Sequence, residues 1–173
     1  MTIFVALGAN LDHPRYGAPM ATLAAALEEL NHRRAKVMRV SPWYRSAPIP
    51  PSGQPWYVNG VVELAWERGP DELLAELHAV EEAFGRVRTE PNAARLIDLD
   101  LIDFKSEIRS GRVELPHPRM TLRAFVLRPL ADLSPGWRHP VSGLSVRDLI
   151  GRLGPDQSIE RLPVSLRFGP GRV

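Results

Sequence analysis

The order of apolar segments in this sequence predicts an α+β fold. Short apolar runs with strand character alternate with two segments whose leucines recur at helical spacing, in the order β-α-β-β-α-β. That order is typical of the ferredoxin-like sandwich, in which a mainly antiparallel sheet carries both helices on one face. We therefore expect a single domain over residues 1–160, followed by a poorly ordered tail over residues 161–173.

Each element is indicated by a local pattern. The apolar run at 2–7 ends in a Gly-Ala-Asn turn, and leucines at helical spacing among alanines indicate the first helix. Asp71 can cap the second helix, and Gly85 can end it. The full series is a strand at 2–7, a helix at 14–30, strands at 37–44 and 56–64, a helix at 71–84, a strand within 94–104, a small hairpin at 107–113, and short helices at 122–132 and 146–153.

Composition excludes several classes of protein. The chain has no cysteine, which rules out disulfide scaffolds, thiolate metal sites and thiol nucleophiles. A net charge of +2 is too small to indicate non-specific nucleic-acid binding. No signal-peptide pattern and no apolar run of membrane-spanning length is present. We expect a cytoplasmic monomer whose partners are small molecules, with no nucleic-acid or membrane partner.

Two aspartates stand inside an apolar strand, in the stretch ARLIDLDLIDF at 94–104. Side chains alternate along a strand, so Asp98 and Asp100 share one face with Cα atoms roughly 7 Å apart, and Asp103 is expected on the other face. Buried carboxylates without partners are costly, so this face needs solvent or cations. Simple alternation therefore makes Asp98 and Asp100, but not Asp103, candidate metal ligands.

Cationic side chains flank the aspartate strand and leave two interpretations open. They could form salt bridges with the carboxylates, or they could hold phosphate oxygens while the carboxylates hold Mg²⁺. Nearly all positive charge in the chain is arginine, which suits bidentate phosphate contacts. The flanking candidates are Arg86, Arg88, Arg95, His117 and Arg123.

Seven short motifs in order along the chain resemble the 6-hydroxymethyl-7,8-dihydropterin pyrophosphokinase family. They are Gly8-Ala9-Asn10; Tyr44, Arg45, Ser46 and Pro48; Gln54, Pro55, Tyr57 and Asn59; Glu81, Gly85, Arg86 and Arg88; Arg95, Asp98, Leu99 and Asp100; Pro116-His117; and Arg123 with Phe125. The resemblance implies the same sandwich fold and a Mg²⁺-dependent transfer of diphosphate from ATP to a pterin alcohol, with release of AMP, in folate biosynthesis.

The resemblance also implies a role for particular residues. Asp98 and Asp100 would bind two Mg²⁺ ions, and Arg86 and Arg95 would act with them in catalysis, on or beside a loop that closes over ATP. The residues implied for the nucleotide are Glu81, Arg88, Arg95, Leu101, Arg112, His117 and Arg123. The residues implied for the pterin are Ser46, Pro48, Ile49, Tyr57, Asn59 and Phe125.

One departure from the family pattern lies beside the implied loop arginine. Many members carry Trp-Gly-Pro there, whereas Asn92-Ala93-Ala94 precede Arg95 in this chain. Two other functions fit the same topology: a non-catalytic ferredoxin-like module that binds a nucleotide, RNA or a small effector, and an enzyme with the same ATP site but another acceptor alcohol. Negative charge at Asp98 and Asp100 would repel an RNA backbone unless a metal intervened.

Overall fold

The computed structural model of the chain describes residues 1–85 and 96–163. Its elements follow the predicted order over most of the chain. The strands are β1 Ile3–Ala9, β2 Lys36–Val40, β3 Tyr44–Ser46, β4 Tyr57–Ala65, β5 Asp98–Phe104 and β6 Ile159–Arg161. The helices are α1 Pro19–His32, α2 Pro70–Ala83, α3 Ala124–Leu133 and α4 Val146–Gly151, with a 3-10 turn at Met120–Leu122.

The strands form one antiparallel sheet in the order β5-β1-β4-β3-β6, with β2 also paired to β4. The strand predicted at 37–44 is wrong as one element, because the chain divides into β2 and β3. Pro42 lies between them and has no N–H for a strand ladder. Ser41 holds the break in place, since its backbone N–H donates to Val61 O and its Oγ accepts from Val61 N, both at 2.9 Å.

Both faces of the sheet are covered by helices. The predicted pair, α1 and α2, lies on one face, where Leu23, Leu27 and Leu77 pack against β1 side chains such as Val5 and are fully buried. This confirms the expected sandwich. The later helices α3 and α4 cover the opposite face, where a second apolar cluster comprises Phe4, Ala6, Val61, Ile102, Met120, Val126, Leu127, Leu130, Leu133, Trp137, Val146 and Leu149.

A β-bulge in β5 changes the direction of Asp103. The register shifts where Phe4 pairs with Asp103 and Val5 pairs with Leu101, which leaves Ile102 as the extra residue. The expectation that Asp103 faces away from Asp98 and Asp100 is therefore wrong. Asp103 is completely buried and accepts hydrogen bonds from Trp137 Nε1 at 2.8 Å and Ser106 N at 2.9 Å. Burial raises the pKa of its carboxyl, and these hydrogen bonds oppose that rise.

The hairpin predicted at 107–113 is also wrong in extent. Arg109 and Leu115 form one isolated antiparallel bridge, with N···O distances of 2.9 and 3.0 Å. At the other end, β6 extends to Arg161, one residue into the predicted tail. The last part of that tail, 164–173, lies outside the described residues. Within the described ranges, no helix is long and apolar enough to cross a membrane.

Candidate active site

A cavity of about 610 Å³ lies on the α3 face at one end of the sheet, and it is called the larger cavity below. Three strands supply its floor, because Asp98, Gly8 and Asn59 are register partners on β5, β1 and β4. The segment after β3, the first turn of α3 and residues before β6 form the walls. The wall residues include Ala47, Pro50, Pro51, Ser52, Gln54, Arg119, Leu122, Arg123, Gly154, Asp156 and Gln157.

All six residues implied for the pterin line this larger cavity: Ser46, Pro48, Ile49, Tyr57, Asn59 and Phe125. Asn59 is only 4% exposed, and its Nδ2 donates to Ser46 Oγ at 2.5 Å. Tyr57 is half-buried, and its hydroxyl lies 3.4 Å from Gln54 Oε1. An aromatic ring and an oriented amide in a concave site suit a flat heterocycle with polar edges.

A smaller cavity of about 270 Å³ lies between α2 and the chain after β5. Four residues implied for the nucleotide line it: Glu81, Leu101, Arg112 and His117. Glu81 is 2% exposed, and its Oε2 accepts from Leu99 N at 3.4 Å, which ties α2 to the aspartate strand. The remaining lining residues are Leu74, His78, Leu99, Asp100, Val113, Glu114 and Pro118.

Asp100 lines both cavities, and this shared wall is called the junction below. Arg123 Nη1 lies 3.3 Å from Asp100 Oδ2, an ion pair that agrees with the salt-bridge interpretation at this one position. Burial lowers the pKa of the Arg123 guanidinium, and the Asp100 carboxylate opposes that shift. Arg123 lines the larger cavity rather than the smaller one, so its cation lies beside the junction on the side of the larger cavity.

His117 is held in one neutral form at the edge of the smaller cavity. Its backbone N–H donates to Ile102 O at 2.9 Å, and its Nδ1 accepts from Arg119 N at 3.1 Å. An accepting Nδ1 places the hydrogen of the neutral ring on Nε2. Burial, together with nearby Arg123 and Arg119, lowers the pKa of His117 to about 4, so the ring is uncharged at neutral pH.

The carboxylates of Asp98 and Asp100 match part of the ligand set of Mg²⁺. In the described ranges, no group of three or more His, Cys, Asp or Glu side chains could hold a metal by itself. Mg²⁺ commonly takes one or two carboxylates and completes its shell with water and substrate phosphates. Asp98 and Asp100 both line the larger cavity, so this oxygen pair fits a metal that arrives with a phosphate ligand.

Three implied residues, Arg86, Arg88 and Arg95, lie outside the described residues. Other lining residues were not assigned individually from the sequence. Gly8 belongs to the first motif and to the predicted turn but has no assigned role there, although a Cβ on it would approach Asn59 Oδ1 to 3.0 Å. Gln157 carries no motif, and it enters the cavity wall through tertiary folding alone.

An open antiparallel sheet with helices on both faces, and with two cavities that share one carboxylate in their walls, is an architecture suited to a small α+β enzyme that brings two ligands together. A family model described as 7,8-dihydro-6-hydroxymethylpterin-pyrophosphokinase matches residues 4–135. The chain therefore belongs to that family. Its members are ATP-dependent pyrophosphokinases that act in folate synthesis, and the chain is an enzyme of that class.

Individual relatives agree with the family match. The chain is 41% identical to a Synechocystis 2-amino-4-hydroxy-6-hydroxymethyldihydropteridine pyrophosphokinase over 84% of this chain and 73% of the relative. It is 40% identical to the Pseudomonas aeruginosa protein of the same name over 93% and 96%. A crystal structure of wild-type Plasmodium falciparum HPPK-DHPS with SDX-DHP has the same fold, with a TM-score of 0.65 at 13% identity, over 88% of this chain and 44% of the solved chain.

Proposed function

We propose that the chain transfers the β,γ-diphosphate of ATP to the hydroxyl group of 6-hydroxymethyl-7,8-dihydropterin and releases AMP, with Mg²⁺ bound at Asp98 and Asp100. The observation that carries the proposal is the junction of the two cavities at Asp100. Residues implied for the pterin line one cavity, and residues implied for the nucleotide line the other. A diphosphate passing between two substrates needs such a junction.

The acceptor side would bind the pterin by stacking and edge recognition. Tyr57 and Phe125 line the cavity with aromatic surface, and such stacking contributes about 1 kcal/mol beyond area burial. Asn59 would hydrogen-bond the amide edge of the ring, since its amide is already oriented by Ser46. Backbone groups over residues 46–49 would complete this recognition.

The nucleotide side would hold ATP against α2 and β5. Arg112 is exposed at the smaller cavity and can reach a phosphate or ribose oxygen. Neutral His117 has its Nδ1 occupied by Arg119 N, so its Nε2–H remains the donor for a nucleotide oxygen. Arg88 and Arg123 would contact the nucleotide phosphates, while Glu81 and Leu101 would shape the base of the site.

Asp98 and Asp100 would hold two Mg²⁺ ions together with phosphate oxygens and water. When bound, the ions would neutralise phosphate charge and align the attacking and leaving oxygens. The pterin oxygen forms a bond to the β-phosphorus, the bond from that phosphorus to the α-phosphate's bridging oxygen breaks, and the hydroxyl proton is released. Arg86 and Arg95 would stabilise the charge that develops on the transferred group.

We also propose that the enzyme works as a cytoplasmic monomer on small molecules, without nucleic-acid or membrane partners. The coverage of both sheet faces by helices supports this proposal against an RNA-binding module, because that module needs exposed aromatics on a sheet face. The described part of the chain presents Phe4, Ala6 and Val61 to α3 and α4 rather than to solvent.

The test is an AMP-release assay with ATP, Mg²⁺ and 6-hydroxymethyl-7,8-dihydropterin. AMP formation should require all three components, and removal of Mg²⁺ with a chelator should abolish it. A simple alcohol in place of the pterin provides the matched control for ATP hydrolysis. Absence of AMP from folded protein would refute the proposed reaction, whereas AMP formation with another pterin alcohol alone would change the assigned acceptor.

A further inference from the structure

The side chain of Gln157 forms hydrogen bonds to the backbone on both sides of Arg123. Gln157 Oε1 accepts from Ala124 N at 2.8 Å, and Gln157 Nε2 donates to Leu122 O at 2.9 Å. One amide therefore satisfies a donor and an acceptor that flank a single residue. Ala124 is the first residue of α3, so its N–H has no partner within the helix.

The segment that Gln157 contacts carries two side chains that line the larger cavity. Arg123 forms the ion pair with Asp100, and its guanidinium carbon lies 5.4 Å from the centre of the Phe125 ring. The start of α3 has no side-chain cap from Arg123, its own N-cap residue. Gln157 supplies from a distant part of the chain the contact that a local cap would otherwise make.

The same C-terminal segment also holds the opposite wall of the cavity. β6 pairs with β3, placing Ile159 opposite Ser46, and Ala47 N donates to Ser158 O at 3.0 Å. Ser46 in turn accepts from Asn59. Gln157 thus lies between a strand that supports the Asn59 side of the cavity and a helix that supports the Phe125 side.

We propose that Gln157 is a positioning residue for the acceptor substrate, which sets the distance between the Asn59 wall and the Arg123–Phe125 wall of the larger cavity. This inference rests on the proposed function of that cavity. Gln157 itself lines the cavity, but its amide atoms are engaged by Leu122 and Ala124. The smaller cavity does not include Gln157, Arg123 or Phe125 among its lining residues.

Two substitutions separate the hydrogen bonds from side-chain volume. Gln157→Met keeps the length of the side chain and removes both hydrogen bonds. Gln157→Glu keeps an acceptor for Ala124 N, where the helix N-terminus favours negative charge, but has no donor for Leu122 O. We expect KM for the pterin to rise about tenfold in Gln157→Met and less in Gln157→Glu. ATP affinity should fall by a clearly smaller factor, because Arg123 is the one nucleotide contact proposed above that lies in the displaced segment.

The measurements are AMP release for kcat and KM, and calorimetry for each ligand. Glu160→Gln on β6 is the matched control, because its ion pair with Arg45 lies on the surface, and it should leave both affinities unchanged. Hydrogen exchange of the Ala124 amide tests its hydrogen bond to Gln157 without any ligand, and the exchange should accelerate in Gln157→Met. The thermal midpoint of each variant shows whether it is folded. If Gln157→Met does not fold, the same measurements are made on Gln157→Glu.

The outcomes are distinguishable. Wild-type protein that forms no AMP refutes the proposed reaction, and pterin calorimetry together with Ala124 exchange then decides the role of Gln157. Active wild-type protein with an unchanged pterin KM in Gln157→Met refutes the positioning role. Equal loss of pterin and ATP affinity in Gln157→Met also refutes it, because general destabilisation would act on both cavities.

Discussion

Asp98 and Asp100 share one face of β5 and line the larger cavity, whereas Asp103, beyond the bulge, is buried against Trp137. We expect Asp98→Asn and Asp100→Asn each to lower turnover by at least about a hundredfold, because each would remove a charged ligand of the proposed Mg²⁺ ions. Both variants should keep a thermal midpoint close to that of the wild type. AMP release across a Mg²⁺ titration measures the effect.

Asp103→Ala provides the control on the same strand. It removes the acceptor for Trp137 Nε1 and Ser106 N, and we expect it to lower the free energy of unfolding by about 1 to 3 kcal/mol. Its Mg²⁺ dependence per folded molecule should remain that of the wild type. If Asp98→Asn and Asp100→Asn instead lose stability without any change in Mg²⁺ dependence, the carboxylates serve salt bridges rather than a metal.

His117 makes the stability of the protein sensitive to pH. Its pKa is lowered from 6.5 to about 4, so between these values the unfolded chain binds a proton that the folded protein does not. Its contribution is complete above pH 6.5 and is lost as the pH falls toward 4. The free energy of unfolding of the wild type should fall when the pH is lowered from 7 to 5. We expect this fall to be smaller by about 1 to 2 kcal/mol in His117→Asn.

Urea unfolding of both proteins at the two pH values measures this difference. Asn can still accept from Arg119 N, which keeps the local hydrogen bond comparable. Parallel loss of stability in the two proteins would mean that other groups carry the acid sensitivity. The same variant should weaken ATP binding at pH 7, because it removes the Nε2–H donor from the smaller cavity.

At the scale of elements, two glycines on neighbouring strands have different tasks. Gly60 lies under Trp43, and a Cβ there would come within 2.7 Å of two ring atoms. A Cβ on Gly8 would meet Asn59 Oδ1 at 3.0 Å, inside the larger cavity. The sheet therefore uses one glycine for core packing and the other to leave Asn59 in place.

We expect Gly60→Ala to lower the free energy of unfolding by about 1 to 3 kcal/mol, because Trp43 is fully buried and its rigid ring cannot yield without repacking. Gly8→Ala should cost less stability and should weaken pterin binding, since the Asn59 side chain must move by a few tenths of an ångström. Denaturant unfolding and pterin calorimetry on both variants check the contrast. Equal behaviour of the two variants would contradict it.

At the scale of the whole molecule, the proposed placement of the two substrates in separate cavities predicts that one mutation can weaken one substrate and spare the other. Asn59→Ala should weaken the pterin by roughly 1 to 3 kcal/mol, because polar ring edges lose a partner, with little effect on ATP. Arg112→Ala should show the reverse, since Arg112 lines only the smaller of the two cavities. Calorimetry of each ligand with each variant gives the four affinities, and loss of both ligands in one variant would contradict separate subsites.

The shared wall at Asp100 also predicts coupling between the substrates. A Mg²⁺–ATP analogue should change pterin affinity by about 5- to 150-fold, and the pterin should change analogue affinity by the same factor. Asp100→Asn should remove most of this coupling, because among the described residues Asp100 is the carboxylate that lines both cavities. Unchanged coupling in Asp100→Asn would mean that another contact connects the sites.

Local patterns in the sequence were sufficient to predict the paired helices on one face of an antiparallel sheet, because burial at helical or strand spacing is a local signal. Motif positions likewise implied Asn59, Tyr57 and Phe125 for the pterin, and Glu81, Arg112 and His117 for the nucleotide. The first three line the larger cavity and the other three line the smaller one. The class of fold and the family could therefore be predicted from the sequence, whereas the assignment of these six residues to substrates stays a prediction.

The direction of Asp103 and the contacts of Gln157 follow from tertiary structure and could not be predicted from local patterns. Asp103 turns toward Trp137 because a bulge interrupts the alternation of β5, and the bulge depends on pairing with β1 rather than on any local pattern. Gln157 contacts Leu122 and Ala124, which lie 35 and 33 positions away in the sequence. Contacts between residues so far apart produce no recognisable pattern in the sequence. The fold brings their atoms together, and the chain between the partners can vary in length and composition.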